Sequence, residues 1–148
     1  VSEARSIRVA AAVVWRGDEL LLTQRPPGGP IGLRWEFPGG KIESGETPEH
    51  ALEREIAEEL GVAARAGRTL ATEQYSYAHG LEVEIVFIEC ALDAMDFTPS
   101  AEVHALQWLR PDQVPIAELL DADREFVRRL AAERGAAGAA PAHRSGGG

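Results

Sequence analysis

Residues 54–61, which read REIAEELG, place three glutamates within five positions. At helical spacing Glu55 and Glu58 stand i,i+3 and Glu55 and Glu59 stand i,i+4, so the three carboxylates share one face. Each like-charge pair costs an isolated helix roughly 0.2–0.5 kcal/mol, and no lysine is interleaved here to relieve it. Taken alone, such a face also reads as a solvated acidic surface. Its chemical reading is a wall of oxygen ligands, which suits magnesium and manganese because hard cations prefer carboxylate and carbonyl oxygen.

The residues around this face form a longer pattern. Gly40 is followed after five residues by Glu46, and seven residues later come Arg54-Glu55-Ile56, one residue, Glu58-Glu59, then Gly61 and Val62. This resembles the signature of the Nudix hydrolases, G-x5-E-x7-R-E-U-x-E-E-x-G-U with U a bulky aliphatic, and every fixed position is filled. The resemblance implies that Glu55, Glu58 and Glu59 are metal ligands, directly or through water, with a backbone carbonyl of Gly39 or Gly40 completing the site. A glycine there lets the backbone approach the metal. Arg54 and Glu46 resemble the supporting pair, a guanidinium gripping a carboxylate by two prongs and fixing the loop against the helix. The cofactor implied is Mg2+, with Mn2+ as a substitute. The reaction implied is metal-assisted attack of water on a phosphorus of a pyrophosphate, with Glu55 as the first choice of base and Glu102 the second.

Residues outside the box bear on the substrate. The stretch EFPGGKIESGETPE and the strand LLTQR most resemble the MutT branch, which converts nucleoside triphosphates, including oxidised ones, to a monophosphate and pyrophosphate. Glu102, six residues before Trp108, matches the position where that branch places an additional metal-associated or base glutamate. Arg25 matches a substrate-contacting arginine, and Lys41 is a phosphate contact by the same resemblance. Where MutT itself carries a base-reading asparagine, this chain places Glu118 in VPIAE. An ionised carboxylate only accepts hydrogen bonds, whereas an amide also donates, so the base is left open. Glu118 reads equally as the start of a terminal helix. Among Trp35, Phe37, Tyr75 and Tyr77, Phe37 is the candidate to contact a base, against the plainer reading of core packing. The alternative substrates are other nucleoside diphosphate derivatives, such as ADP-ribose or a dinucleoside polyphosphate. A non-catalytic nucleotide sensor on the same fold is the rival of a different class.

These residues must be held by a scaffold that the pattern outlines. Residues 7–15 read as a strand, with residues 19–25 as its hairpin partner across Gly17-Asp18. A Pro/Gly-rich loop, residues 26–34, leads to a short extended piece at residues 35–38. A helix is expected over residues 48–60, with Thr47 as N-cap, Pro48 at its first position, Gly61 as its stop, and Leu52, Ile56 and Leu60 on its core face. Strands follow at residues 68–77, 81–92 and 103–109, then an amphipathic helix over residues 116–134. The fold class expected is α+β in α/β/α layers, a mixed β-sheet with a central box helix and a C-terminal helix. Residues 1–134 form the expected domain, and residues 135–148 a flexible low-complexity tail.

Composition fits this reading. The formal net charge of −9 argues against gripping polymeric nucleic acid but not against one nucleotide held through divalent cations. No apolar run is long enough for a membrane span, and a single cysteine, Cys90, fits a reducing compartment. The expectation is therefore a cytoplasmic monomer or homodimer acting on a small-molecule nucleotide.

Overall fold

The computed structural model describes residues 5–139, with side chains to residue 134. Its elements are β1 (Arg5–Val13), β2 (Trp15–Arg16), β3 (Glu19–Gln24), β4 (Trp35–Glu36), β5 (Gly39–Lys41), α1 (Pro48–Leu60), β6 (Ala64–Ser76), β7 (Leu81–Leu92), β8 (Ala105–Leu109) and α2 (Arg124–Ala139). One sheet has the order β5-β1-β7-β6, with β1 parallel to β7 and the other pairs antiparallel. In the second, β3 pairs with β8 along one edge and with β2 and β4 along the other.

β1 explains why the sequence opens with an unbroken apolar run. It lies between β5 and β7, so both of its edges are paired, and a core cluster covers each of its faces. Ala11 and Val13 join a core with Val83, Ile85 and Phe87 of β7 and Phe126, Val127 and Leu130 of α2. Ala10, Ala12 and Val14 face the other way, onto Leu52, Ile56 and Leu60 of α1. The strand alternation thus sorts side chains between two helical layers, α1 on one side and α2 on the other.

Helix α1 matches its expected bounds. The Thr47 side chain accepts the His50 N–H at 3.1 Å, and Gly61 ends the helix in the left-handed conformation at φ 70°. Three other expectations are corrected. The hairpin across Gly17-Asp18 uses only β2, through Trp15↔Leu20 and Arg16↔Glu19, because residues 5–13 are already paired with β5 and β7. The terminal helix begins at Arg124 rather than residue 116. Leu119 and Leu120 are extended, because Leu119 bridges to Trp35 and the Leu120 N–H donates to the Trp35 carbonyl at 2.9 Å. Short 3-10 turns, Ile116–Glu118 and Asp121–Asp123, occupy the rest. Finally, α2 runs five residues into the stretch read as a tail, to Ala139, and residues 140–148 of that tail lie outside the described residues.

Candidate active site

The burial of the three box glutamates follows from their place on the wheel of α1. At about 100° per residue, Glu59 lies next to the Leu52–Ile56–Leu60 stripe, Glu55 slightly farther round, and Glu58 farthest. The Glu55 side chain is accordingly 15% exposed and that of Glu58 59% exposed. Burial pushes the Glu59 carboxyl up to about 8, helped by the charges of Glu36, Glu55 and Glu102. Glu55 is raised for the same first reason, with Glu58 and Glu102 adding to the rise and Arg54 opposing it.

Arg54 is the hub. Its Nε and Nη2 donate to the two oxygens of Glu46 at 2.7 and 2.8 Å, the two-pronged grip expected of the pair. Its Nη1 donates to Glu55 Oε2 at 2.9 Å and more weakly to Glu58 Oε1 at 3.5 Å, while Nη2 also reaches the Lys41 carbonyl at 3.1 Å. One guanidinium therefore ties α1, the loop after β5 and β5 itself. The Arg54 hydrogen bonds hold the Glu46 carboxyl down at about 2, and Glu46 Oε1 also accepts the Glu43 N–H at 2.8 Å.

β5 supplies the opposing surface. The Gly39 N–H donates to Glu59 Oε1 at 3.4 Å, and Glu55 lies directly against Gly40. Lys41 is exposed beside them. Glu102 lies on the loop before β8, close enough for its charge to act on both Glu55 and Glu59. Among the described residues no three His, Cys, Asp or Glu side chains stand close enough to form a closed metal site. Glu55 is turned to Arg54 and Glu58 is largely in solvent. The donor set still fits a hard divalent cation: it is all oxygen, one member lies on a bare backbone, and the carboxyls of Glu55 and Glu59 are pushed toward holding protons that a cation would displace.

Arg25, the residue just after β3, reaches this group through Glu36, its Nη1 standing 3.3 Å from Glu36 Oε2. Glu36 and Asp123 extend the acidic line beyond the box, and the sequence reading missed both. Glu36 on β4 is pushed up to about 7 by burial, against the pull of Arg25. Asp123 is 5% exposed, its Oδ2 accepts the Phe37 N–H at 3.4 Å, and burial raises it to about 8 with Glu36 adding to the effect. Glu36 showed itself only as a charge between two aromatics in WEF. Asp123 is hidden in the sequence because the apolar period reads as helix from residue 116, eight residues before α2 begins.

Among the described residues, two expected substrate residues make no hydrogen bond or ion pair with the box residues. Phe37 is 4% exposed, and its ring meets Phe87 and Phe126 edge-on at 5.5 and 5.7 Å, so the side chain belongs to the core. Only its backbone N–H faces Asp123. Glu118 is exposed on its 3-10 turn, and no hydrogen bond or ion pair among the described residues uses its side chain. The position next to the site is taken by Asp123. Tyr75 and Tyr77 flank it from β6 and the turn after it: Tyr75 Oη donates to Asp121 Oδ2 at 3.3 Å, and Tyr77 feels the charges of Asp123 and Asp121.

Comparison with known proteins agrees with this geometry. The NUDIX domain family model matches residues 5–130. The chain is 35% identical over 136 residues to a CTP pyrophosphohydrolase of Escherichia coli K12, covering 89% of this chain and 96% of that protein. It is 40% identical over 77 residues to an 8-oxo-dGTP diphosphatase of Haemophilus influenzae, covering 51% and 56% of the two chains. The solution structure of the E. coli ORF135 protein superposes with a TM-score of 0.75 at 31% identity, over 90% of this chain and 94% of that one.

Proposed function

The chain belongs to the Nudix hydrolase family, in its MutT-like branch, and we propose that it hydrolyses nucleoside triphosphates, oxidised ones included, to the monophosphate and pyrophosphate with the help of a divalent cation. The observation that carries this reading is the packing of the Glu55 carboxyl on the Gly40 backbone, beside Glu59 and within the grip of Arg54. Magnesium, or manganese in its place, held by Glu55, Glu58, Glu59, Glu102 and the Gly40 backbone, would neutralise phosphate charge as a Lewis acid.

The chain's own groups do the rest. Arg54 fixes the orientation of Glu55, so that its carboxylate is aimed rather than free, and Glu55 is the base that takes the proton of the attacking water. Lys41 and Arg25 offer positive charge to the phosphates, and Arg25 exchanges part of its pairing with Glu36 to do so. Glu46 keeps Arg54 in place.

Asp123 replaces Glu118 as the base-reading group. A carboxyl titrating near 8 is mostly protonated at neutral pH and offers a donor beside an acceptor, much as an asparagine amide does. That pair complements a cytosine edge, with an amino donor next to a ring nitrogen. It also complements the oxidised-guanine edge, where an N–H stands next to a carbonyl. The bases printed in the names of the two relatives, CTP and 8-oxo-dGTP, are of these kinds.

The test is product release from a panel of canonical NTPs and dNTPs, 8-oxo-dGTP, ADP-ribose and diadenosine polyphosphates, in magnesium and then manganese. Pyrophosphate release from triphosphates is the expected result. Turnover confined to ADP-ribose or a dinucleotide would overturn the substrate reading and leave the box chemistry standing.

A further inference from the structure

Glu102 is more than forty positions from the box helix, and the segment that delivers it is anchored at several points. Between β7 and β8 the Asp93 N–H donates to the Ala63 carbonyl at 2.9 Å, and the His104 N–H to the Gln24 carbonyl at 2.8 Å. Between these anchors the segment caps the C-terminus of α1. The Thr98 N–H donates to the Leu60 carbonyl and the Ser100 N–H to the Glu59 carbonyl, each at 2.8 Å. The last carbonyls of a helix lack intrahelical donors, so these bonds satisfy them and set the register of the segment against α1. The fit is close: a Cβ on Gly61 would stand 3.1 Å from Thr98 Cβ and 3.2 Å from its carbonyl oxygen.

Ser100, half-buried, makes three of the local contacts. Its N–H holds Glu59, its hydroxyl accepts the Glu102 N–H at 3.2 Å, and its carbonyl accepts the Val103 N–H at 3.1 Å. The residue that accepts from Glu102 is thus the residue bonded to the backbone of Glu59. The exposed Glu102 carboxylate, whose charge acts on Glu55 and Glu59, would swing away from them on an unrestrained loop, and this clasp on its backbone N–H limits that movement.

We propose that Ser100 is a positioning residue that holds Glu102 against the acidic face of α1, so that cation affinity depends on a serine touching neither cation nor substrate. The proposal rests on Glu102 being a metal-facing carboxylate. Removing the hydroxyl leaves the Glu102 N–H to water, which changes stability little at an exposed residue but widens the range of positions open to the carboxylate.

The experiment is manganese binding to the full chain, read from the EPR signal of free Mn2+, for the parent, Ser100→Ala, Ser100→Thr, Glu102→Gln and the Ser100→Ala/Glu102→Gln double variant. Thermal melting in EDTA accompanies it. Ser100→Ala is expected to weaken Mn2+ by roughly 10-fold, Ser100→Thr to restore affinity, and the double variant to be no weaker than Glu102→Gln. Melting in EDTA should be nearly unchanged. Parent-like affinity in Ser100→Ala beside a weakened Glu102→Gln would overturn the role of Ser100 alone, as would equal losses in both backgrounds. Parent-like affinity in Glu102→Gln would remove the reading of Glu102 and the proposal with it.

Discussion

The carboxyl of Glu55 occupies the space that a side chain on Gly40 would need: a Cβ there would stand 2.5 Å from Oε1 and 2.7 Å from Oε2. The atoms in the way are the far end of a flexible side chain. Gly40→Ala should therefore cost little stability, within about 1 kcal/mol, while displacing Glu55 and lowering turnover by orders of magnitude. Gly39→Ala should behave differently, because its Cβ would run into the Ala10 backbone carbonyl and its φ is +149°. It should lower the melting temperature more than Gly40→Ala does. Thermal melting and turnover of the two variants, measured side by side, check the pair; full activity in Gly40→Ala would refute the placement of Glu55.

Glu59→Gln separates function from stability in the opposite sense. Its carboxyl is crowded and half-buried, so at pH 9 without metal the variant should melt higher than the parent, because a partly desolvated charge has been removed. In magnesium its turnover should fall by orders of magnitude, as should that of Glu58→Gln. Near-parent turnover in either would show that the acidic face is not the metal site.

The pH dependence of stability follows from three raised carboxyls. Glu36, Glu59 and Asp123 titrate near 7, 8 and 8 in the folded chain, against ordinary values of 4.5, 4.5 and 3.8. Between those limits the folded state binds more protons than the unfolded chain, so stability should fall as pH rises through this window. The contribution is fully present below the ordinary values and lost above the folded ones. Glu46 works the other way: held down at about 2, it favours folding above its ordinary value and loses that effect in acid. Denaturant melts in EDTA from pH 5 to 9 should show the decline, and Asp123→Asn should flatten it. A profile rising over that range would contradict the burial of these acids.

Base preference should follow Asp123 and not Glu118. Asp123→Ala is expected to change the ranking of triphosphates, mainly through KM, whereas Asp123→Asn keeps a donor beside an acceptor and should retain much of the parent's ranking. Glu118→Ala should leave the ranking unaltered. If Glu118→Ala alone reorders the bases, the assignment of Asp123 is wrong.

Phe37→Ala should act on the fold. Removing a ring packed on Phe87 and Phe126 should cost about 3–5 kcal/mol. The milder Phe37→Leu should keep the parent's base ranking, measured on the same nucleotide panel. A changed ranking without lost stability would return the ring to the substrate site.

What the sequence determined by itself is the part of the site made by near neighbours. The N-cap at Thr47, the stop at Gly61, the shared face of Glu55, Glu58 and Glu59, and the grip of Arg54 on Glu46 all follow from helical spacing and one short loop. Residue types and intervals are enough there, because the contacts join residues at most eight positions apart. What only the tertiary structure decided depends on pairing between distant segments. The bridge from Trp35 to Leu119 holds residues 119–120 extended where the apolar period reads as helix. That displacement puts Asp123 rather than Glu118 beside Glu36. The Phe37 ring goes inward because β7 and α2 bring Phe87 and Phe126 to meet it. Periodicity records which face of an element is apolar, but not which distant element will cover it, and that choice set the far end of the site.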